Sequence, residues 1–276
     1  LFQTTQDLQR LEQKAHFAHV KGRFPFRLGT TSYILPAPIV PNIRFLGPYV
    51  DEVELVLFES QGEDNLPTQE EIQEMRHLAE ELALSYNVHL PTDIFLGSPN
   101  LAERGKACAT TLKFFRRTLP LEPTGYVLHL DIEDSCEMGS QVFNLWFERV
   151  AASLEAMIAE GLDPRRVAVE NLGYPLEWIQ SLVETKGMSI CLDIGHLLRY
   201  GYDLKNNLKA FQPLTSMMHL HGVSDDVDHR GLELISTDDW AVIVEALGNY
   251  QGCLSVEVFS LENFRSSLLR LKELQF

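Results

Sequence analysis

From about residue 26 to the C-terminus the sequence alternates eight times between a short apolar run and a longer segment of helical period. The runs are Phe26 to Thr30, Val53 to Phe58, Tyr86 to His89, Tyr126 to Leu130, Val167 to Glu170, Ile190 to Ile194, Met217 to His221 and Leu254 to Val258. Each has the length and apolar content of a buried strand. Strands separated by helices pair in parallel, because every return needs a crossover. Eight such units in 276 residues predict one closed (β/α)8 barrel, a single domain over 1–276 with the barrel at 26–276.

The intervening helical segments are Thr68 to Leu84, Asn100 to Leu119, Ser140 to Glu160, Leu176 to Lys186, Thr237 to Leu247 and Leu261 to Leu274. The first opens with a Thr cap and a Glu-rich turn. The connections after strands one and six are less regular, and the four prolines of PAPIVPNIRFLGPY keep any helix there short or broken. Residues 1–22 read as an extra N-terminal amphipathic helix, LQRLEQKAHFAHV, packed on the bottom or side of the barrel. His16 and His19 in that helix, and His77 in the helix after strand two, lie far from any strand end and read as surface or packing residues.

A formal net charge of -16 with no Lys/Arg stripe repels polyanions, so a nucleic-acid partner is disfavoured. It does not bar an anionic small molecule, because bound divalent cations reverse the sign locally. No apolar run reaches the roughly 20 residues of a membrane span, and the first residues lack the grammar of a secretion signal, which predicts a cytoplasmic protein. Cys108, Cys136, Cys191 and Cys253 are scattered without a C-x-x-C pair and read as reduced thiols.

Seven of the eight strand runs finish in a residue that can bind a metal: Glu59, His89, His129, Glu170, Asp193, His219 and Glu257. Taken singly, each reads as a hydrogen-bonded structural group. In a parallel barrel, however, all C-terminal strand ends converge on one rim. Carboxylates gathered there repel one another, and divalent cations are the simplest compensation. Asp193-Ile-Gly-His196 places a further ligand just past strand six, with the Gly easing the backbone. Asp228 and His229 add an acid and an imidazole beyond strand seven. Oxygen and nitrogen ligands without thiolate suit Zn, Mn or Fe. Glu59, Asn171 and His221 are candidates for contacting substrate, His221 also for ligating metal. Thr30, Thr31 and Ser32 at the end of strand one are candidates for orienting a polar group of the substrate.

On these residues the sequence resembles the xylose-isomerase-like TIM-barrel superfamily, and within it the endonuclease IV type of trinuclear phosphodiesterase. The resemblance implies that His89 and His129, with a bridging Glu170, hold one metal, and that Glu170, Asp193, His219 and Glu257 hold a second. His196 with Asp228 and His229 would hold a third. There the chain departs from the family's Asp-x-His, because its acid and imidazole are adjacent. Glu170 and Glu257 are the carboxylates expected at the catalytic centre.

The stretches FPFRLGTTSYILPAPIVPNIRFL and VDEVELVLFE are similar to the N-terminal part of cobamide-remodelling phosphodiesterases. That resemblance implies a corrinoid substrate and two or three divalent ions, Zn or Mn. The reaction would be hydrolysis of the nucleotide-loop phosphodiester of a vitamin B12-type coenzyme to cobinamide phosphate and α-ribazole. The alternative is a sugar isomerase or epimerase, which uses the Glu170, Asp193, His219, Glu257 quartet for a single ion. Such an enzyme has no need of His89 and His129. A binding module without catalysis is the weakest reading, given ligands on so many strands.

Overall fold

The computed structural model describes residues 17–60, 66–132 and 136–276. Eight strands form the barrel: β1 (Arg27–Thr31), β2 (Glu52–Val56), β3 (Ser85–His89), β4 (Tyr126–Leu128), β5 (Val167–Glu170), β6 (Ser189–Asp193), β7 (Thr215–Leu220) and β10 (Cys253–Val256). They close in the order β1-β10-β7-β6-β5-β4-β3-β2, every neighbour parallel. All eight predicted strands are present. Their ends fall earlier than apolarity implied in several cases, so His129, His221 and Glu257 sit one residue past β4, β7 and β10.

Outside the barrel run α1 (Ile39–Leu46), α2 (Gln69–Leu82), α3 (Leu101–Thr118), α4 (Gln141–Ala159), α5 (Glu177–Lys186), α6 (Ile194–Arg199), α7 (Leu204–Phe211), α8 (Thr237–Leu247) and α9 (Leu261–Lys272). Capping residues set their starts. The Thr68 hydroxyl accepts from the Glu71 N–H while the Glu71 carboxylate accepts from the Thr68 N–H, a reciprocal box that begins α2. Asn100, Ser140, Ser236 and Ser260 cap α3, α4, α8 and α9 in the same sense. The proline-rich connection after β1 holds only the eight-residue α1, and two short helices follow β6, as the irregular patterns predicted.

The predicted helix over 1–22 lies largely outside the described residues, His16 with it. Residues 17–22, which are described, are not helical. Phe17 is buried against Phe45, Tyr49 and Phe264, and exposed His19 stacks on Tyr49. These contacts fasten the chain against α1 and α9 without needing a helix. His77 is exposed on α2. All four cysteines are free. Among the described residues no helix is long and apolar enough to cross a membrane.

One element was not visible as periodicity. An antiparallel hairpin, β8 (Gly222–Ser224) and β9 (Val227–Arg230), leaves the rim directly after β7. Asp225 and Asp226 at its tip both have positive φ, 51° and 61°, the conformation that a two-residue hairpin turn requires. The hairpin folds His229 back over the barrel mouth.

Period-two alternation orders the barrel interior. Val127, Ala168, Cys191 and Met217 form a small, separate buried cluster. Two positions further along the same strands come His129, Glu170, Asp193 and His219. An apolar layer therefore floors the site, and the next inward-facing layer consists of potential ligands.

Candidate metal centre

The floor residues aim the ligands, and β2 adds one that strand-end counting overlooked. Glu54 is completely buried on β2, and its Oε2 accepts a hydrogen bond from His219 Nε2 at 2.9 Å. The signal was present in Val-Asp-Glu-Val-Glu-Leu-Val, where Glu52 and Glu54 alternate with apolar residues and so share the inward face. Glu59 is exposed on the loop beyond β2, outside the cluster of buried ligands.

Glu170 lies at the centre, and its two oxygens face different partners. Oε2 is 3.1 Å from His89 Nε2 and 2.9 Å from His129 Nε2. Oε1 is 3.5 Å from His219 Nδ1 and 3.5 Å from His196 Nδ1. Around the second oxygen, Glu257 Oε2 approaches His219 Nδ1 at 3.1 Å and Asp193 Oδ2 approaches it at 4.0 Å. His196 follows Asp193 because Asp193 caps α6, its Oδ1 accepting from the His196 N–H at 2.8 Å.

A third group of imidazoles stands beside these. His196, His221 and His229 bring ring nitrogens within 4.8 Å of one another. His221 Nε2 is 3.3 Å from Asp193 Oδ1, and His229 Nε2 is 3.4 Å from Glu257 Oε2. Gly195 makes room for this group. A β-carbon there would collide with the His221 ring, so the glycine serves clearance, not the backbone freedom that the sequence suggested. Asp228 stands beside the group: one oxygen accepts from His229 Nδ1 at 3.0 Å and the other pairs with Arg199. His229 itself has a φ of 55°, unusual for a residue with a side chain.

The remaining predicted contacts turn inward to the protein. Both ends of the Asn171 amide are engaged by the Asp193 backbone, at 2.9 and 2.7 Å. Thr30 and Thr31 donate to the carbonyls of Val256 and Val258, and Ser32 Oγ accepts from the Val56 N–H, so these hydroxyls latch β1 to its neighbours. All three residues are buried.

Charge and burial decide what the cluster needs. Burial pushes the Glu170 carboxyl up, but His129 and His219 outweigh it and hold the group well below the usual carboxylate range. Glu257 behaves likewise, with His219 and His229 overcoming burial. Burial pulls the His219 imidazole down, yet the groups around it, Glu54, Glu257 and Glu170 among them, hold it well above its ordinary value. The same contest pushes His229 up to about 9. The site is thus a set of buried anions demanding compensating positive charge.

Hydrogen bonds do not supply all of that compensation. Asp193 Oδ2, His219 Nδ1, His221 Nε2 and Glu257 Oε2 are buried without a hydrogen-bond partner, although each lies near a group of opposite character. Such orphans each cost about 1–3 kcal/mol if left unmet. The ligand atoms of His89, His129 and Glu170 gather within 4.8 Å of one another, as do those of Glu170, Asp193, His219 and Glu257. Orphaned donor atoms converging in O/N sets fit divalent cations. A cavity of about 560 Å³ opens beside His129 and His196, with Asp131, Tyr174, Trp178 and Tyr200 in its walls.

The sequence profile of the xylose isomerase-like TIM barrel family matches residues 47–274. The chain belongs to that family. No curated protein matches this family member by sequence. Among solved structures, the xylose isomerase-like barrel is similar to a D-tagatose 3-epimerase-like protein at 19% identity and a TM-score of 0.72, covering 90% of this chain and 96% of that one. A probable 3-DHS dehydratase from Bacillus anthracis aligns at 13% identity and a TM-score of 0.70, covering 91% and 100%. The IOLI protein with a zinc atom bound aligns at 12% identity and a TM-score of 0.65, covering 90% and 96%. At these identities the likenesses bear on the fold alone.

Proposed function

We propose that this xylose isomerase-like barrel is a metal-dependent phosphodiesterase, and that its substrate is the nucleotide-loop phosphodiester of a cobamide. The observation that carries the reading is the division of Glu170. One oxygen serves His89 and His129 while the other faces His219 and His196, the arrangement expected of a carboxylate shared by two cation sites. A sugar epimerase holding one ion in the Glu170, Asp193, His219, Glu257 quartet has no use for the His89 and His129 pair.

In this reading His89, His129 and Glu170 hold one ion, and Glu170, Asp193, His219 and Glu257 a second. His196, His221 and His229 hold a third, with Asp228 bracing His229 in place of ligating. Zn or Mn suits these donors. Bound ions would supply positive charge that activates water, neutralises the phosphoryl oxygens and stabilises the departing ribose oxygen. The chain's own residues fix where that charge stands: Glu54 and Asn171 hold His219 and the Asp193 backbone, and the apolar floor excludes water from below. No protein nucleophile is required.

The cobamide assignment rests on the N-terminal stretches quoted above and agrees with a net charge of -16, which opposes duplex DNA. Adenosylcobalamin incubated with the metal-loaded protein and resolved by chromatography with mass detection should yield a corrinoid phosphate and α-ribazole. An unchanged cobamide beside epimerisation of a ketohexose would overturn the proposal in favour of the epimerase.

A further inference from the structure

The cavity beside the metal centre is lined by two kinds of ring. His129 and His196 belong to that centre. The others are aromatic: Tyr174 and Trp178 stack with centroids 5.8 Å apart and planes 11° apart, and Tyr200 is 47% exposed. The stack is rigid, because the Tyr174 hydroxyl donates to the Leu130 carbonyl at 2.9 Å and Phe143 meets Trp178 edge-on. Asp131 also lines it, and its Oδ2 is buried without a hydrogen-bond partner. Asp131 and Ile132 also line a neighbouring cavity of about 280 Å³, together with Phe95 and Val142, both more than half exposed.

A planar heteroaromatic base can lie flat against such a wall. It offers a π-face to ring side chains and only a few polar edge atoms, of which one could meet the Asp131 carboxyl. We infer that the lobe formed by Trp178, Tyr200 and Asp131 is a binding site for the base of a nucleoside, the arm of the phosphodiester that leaves. The inference rests on the phosphodiesterase reading for its link to catalysis, but the site itself is testable without turnover.

The test is an equilibrium titration of the metal-loaded protein with adenosine and with a benzimidazole riboside, followed by tryptophan fluorescence and by calorimetry, with D-fructose as the competing arm. Both nucleosides should bind and quench, and Trp178→Phe should remove most of the quench. Tyr200→Ala, at a position 47% exposed, should weaken nucleoside binding about tenfold or more at unchanged metal content. Nucleosides that fail to bind, or that bind Tyr200→Ala as they bind the parent, overturn the inference. So does D-fructose binding that Tyr200→Ala abolishes. Cobamide cleavage with no nucleoside binding would leave the phosphodiesterase reading standing and remove this one. Nucleoside binding sensitive to Tyr200→Ala, without cleavage of any diester, would do the reverse.

Discussion

Glu54 Oε2 accepts a hydrogen bond from His219 Nε2 at 2.9 Å, with both side chains completely buried. The bond settles which ring nitrogen can serve the quartet. With Nε2–H given to Glu54, Nδ1 is left to face Glu170, Asp193 and Glu257. Carboxylates that orient a ligating imidazole typically matter 10–100-fold in metal affinity. Glu54→Ala should therefore weaken binding of one equivalent by roughly that factor, and Glu54→Gln, which keeps an acceptor oxygen, by less. Calorimetric titration of the metal-stripped protein with Zn or Mn measures this. Equal affinities across all three proteins would show that Glu54 only packs.

Gly195→Ala tests the tri-imidazole group without replacing any of its imidazoles. Its β-carbon would collide with the His221 ring, so that ring must move away from His196 and His229. The variant should keep its circular dichroism and lose one metal equivalent, the others being retained. Full metal content in Gly195→Ala would mean that His221 is not a ligand.

How legible this site was in the sequence can be judged residue by residue. The alternation of apolar runs and helical segments gave the eight strands, and barrel geometry then carried His89, His129, Glu170, Asp193, His219 and Glu257 to one rim. Their side chains do meet there. Glu54 escaped because it lies inside a strand, and the exposed Glu59 at the end of the same apolar run drew attention in its place. The hairpin of β8 and β9 escaped because its positive-φ Asp225–Asp226 turn follows from local backbone geometry, which periodicity does not report. The adjacency of Asp228 and His229 looked like a departure from the family's ligand spacing. In the structure Asp228 faces Arg199 and orients His229, while the ring nitrogens of His221 gather with those of His196 and His229.

At the opposite end of the barrel Glu52 should govern acid stability. It is fully buried on β2, accepting from Arg27, Ser85, Asn87 and Thr124. Burial pushes its carboxyl up, but Ser85, Arg27 and Asn87 outweigh burial and hold it below the usual range. A depressed folded-state pKa gives stability that is present above the unfolded value, about 4.3, and is lost as pH falls through the folded value. Glu52→Ala strands several donors and should cost about 2–4 kcal/mol at pH 7. The gap between parent and variant should narrow below about pH 4. Denaturant midpoints across pH decide it, and a gap that widens in acid contradicts the assignment.

Removing metal should expose the cost of the buried carboxylates. Ions at about a hundred times their dissociation constant stabilise a native state by about 2.7 kcal/mol per site. For a chain of this length that is roughly 5–10 °C in melting temperature. Scanning calorimetry with and without chelator reads the shift. A chelator-insensitive melting point would mean that protonated imidazoles alone balance Glu54, Glu170, Asp193 and Glu257.

Whether Glu170 is shared between two ions is tested most directly by metal content per chain. Protein purified without chelator and analysed by plasma mass spectrometry should hold two or three equivalents of Zn or Mn. Glu170→Gln should lose at least two of them together, because one carboxylate serves both sites. One equivalent in the parent protein, or a Glu170→Gln variant with undiminished metal, would contradict the account and favour a mononuclear epimerase site.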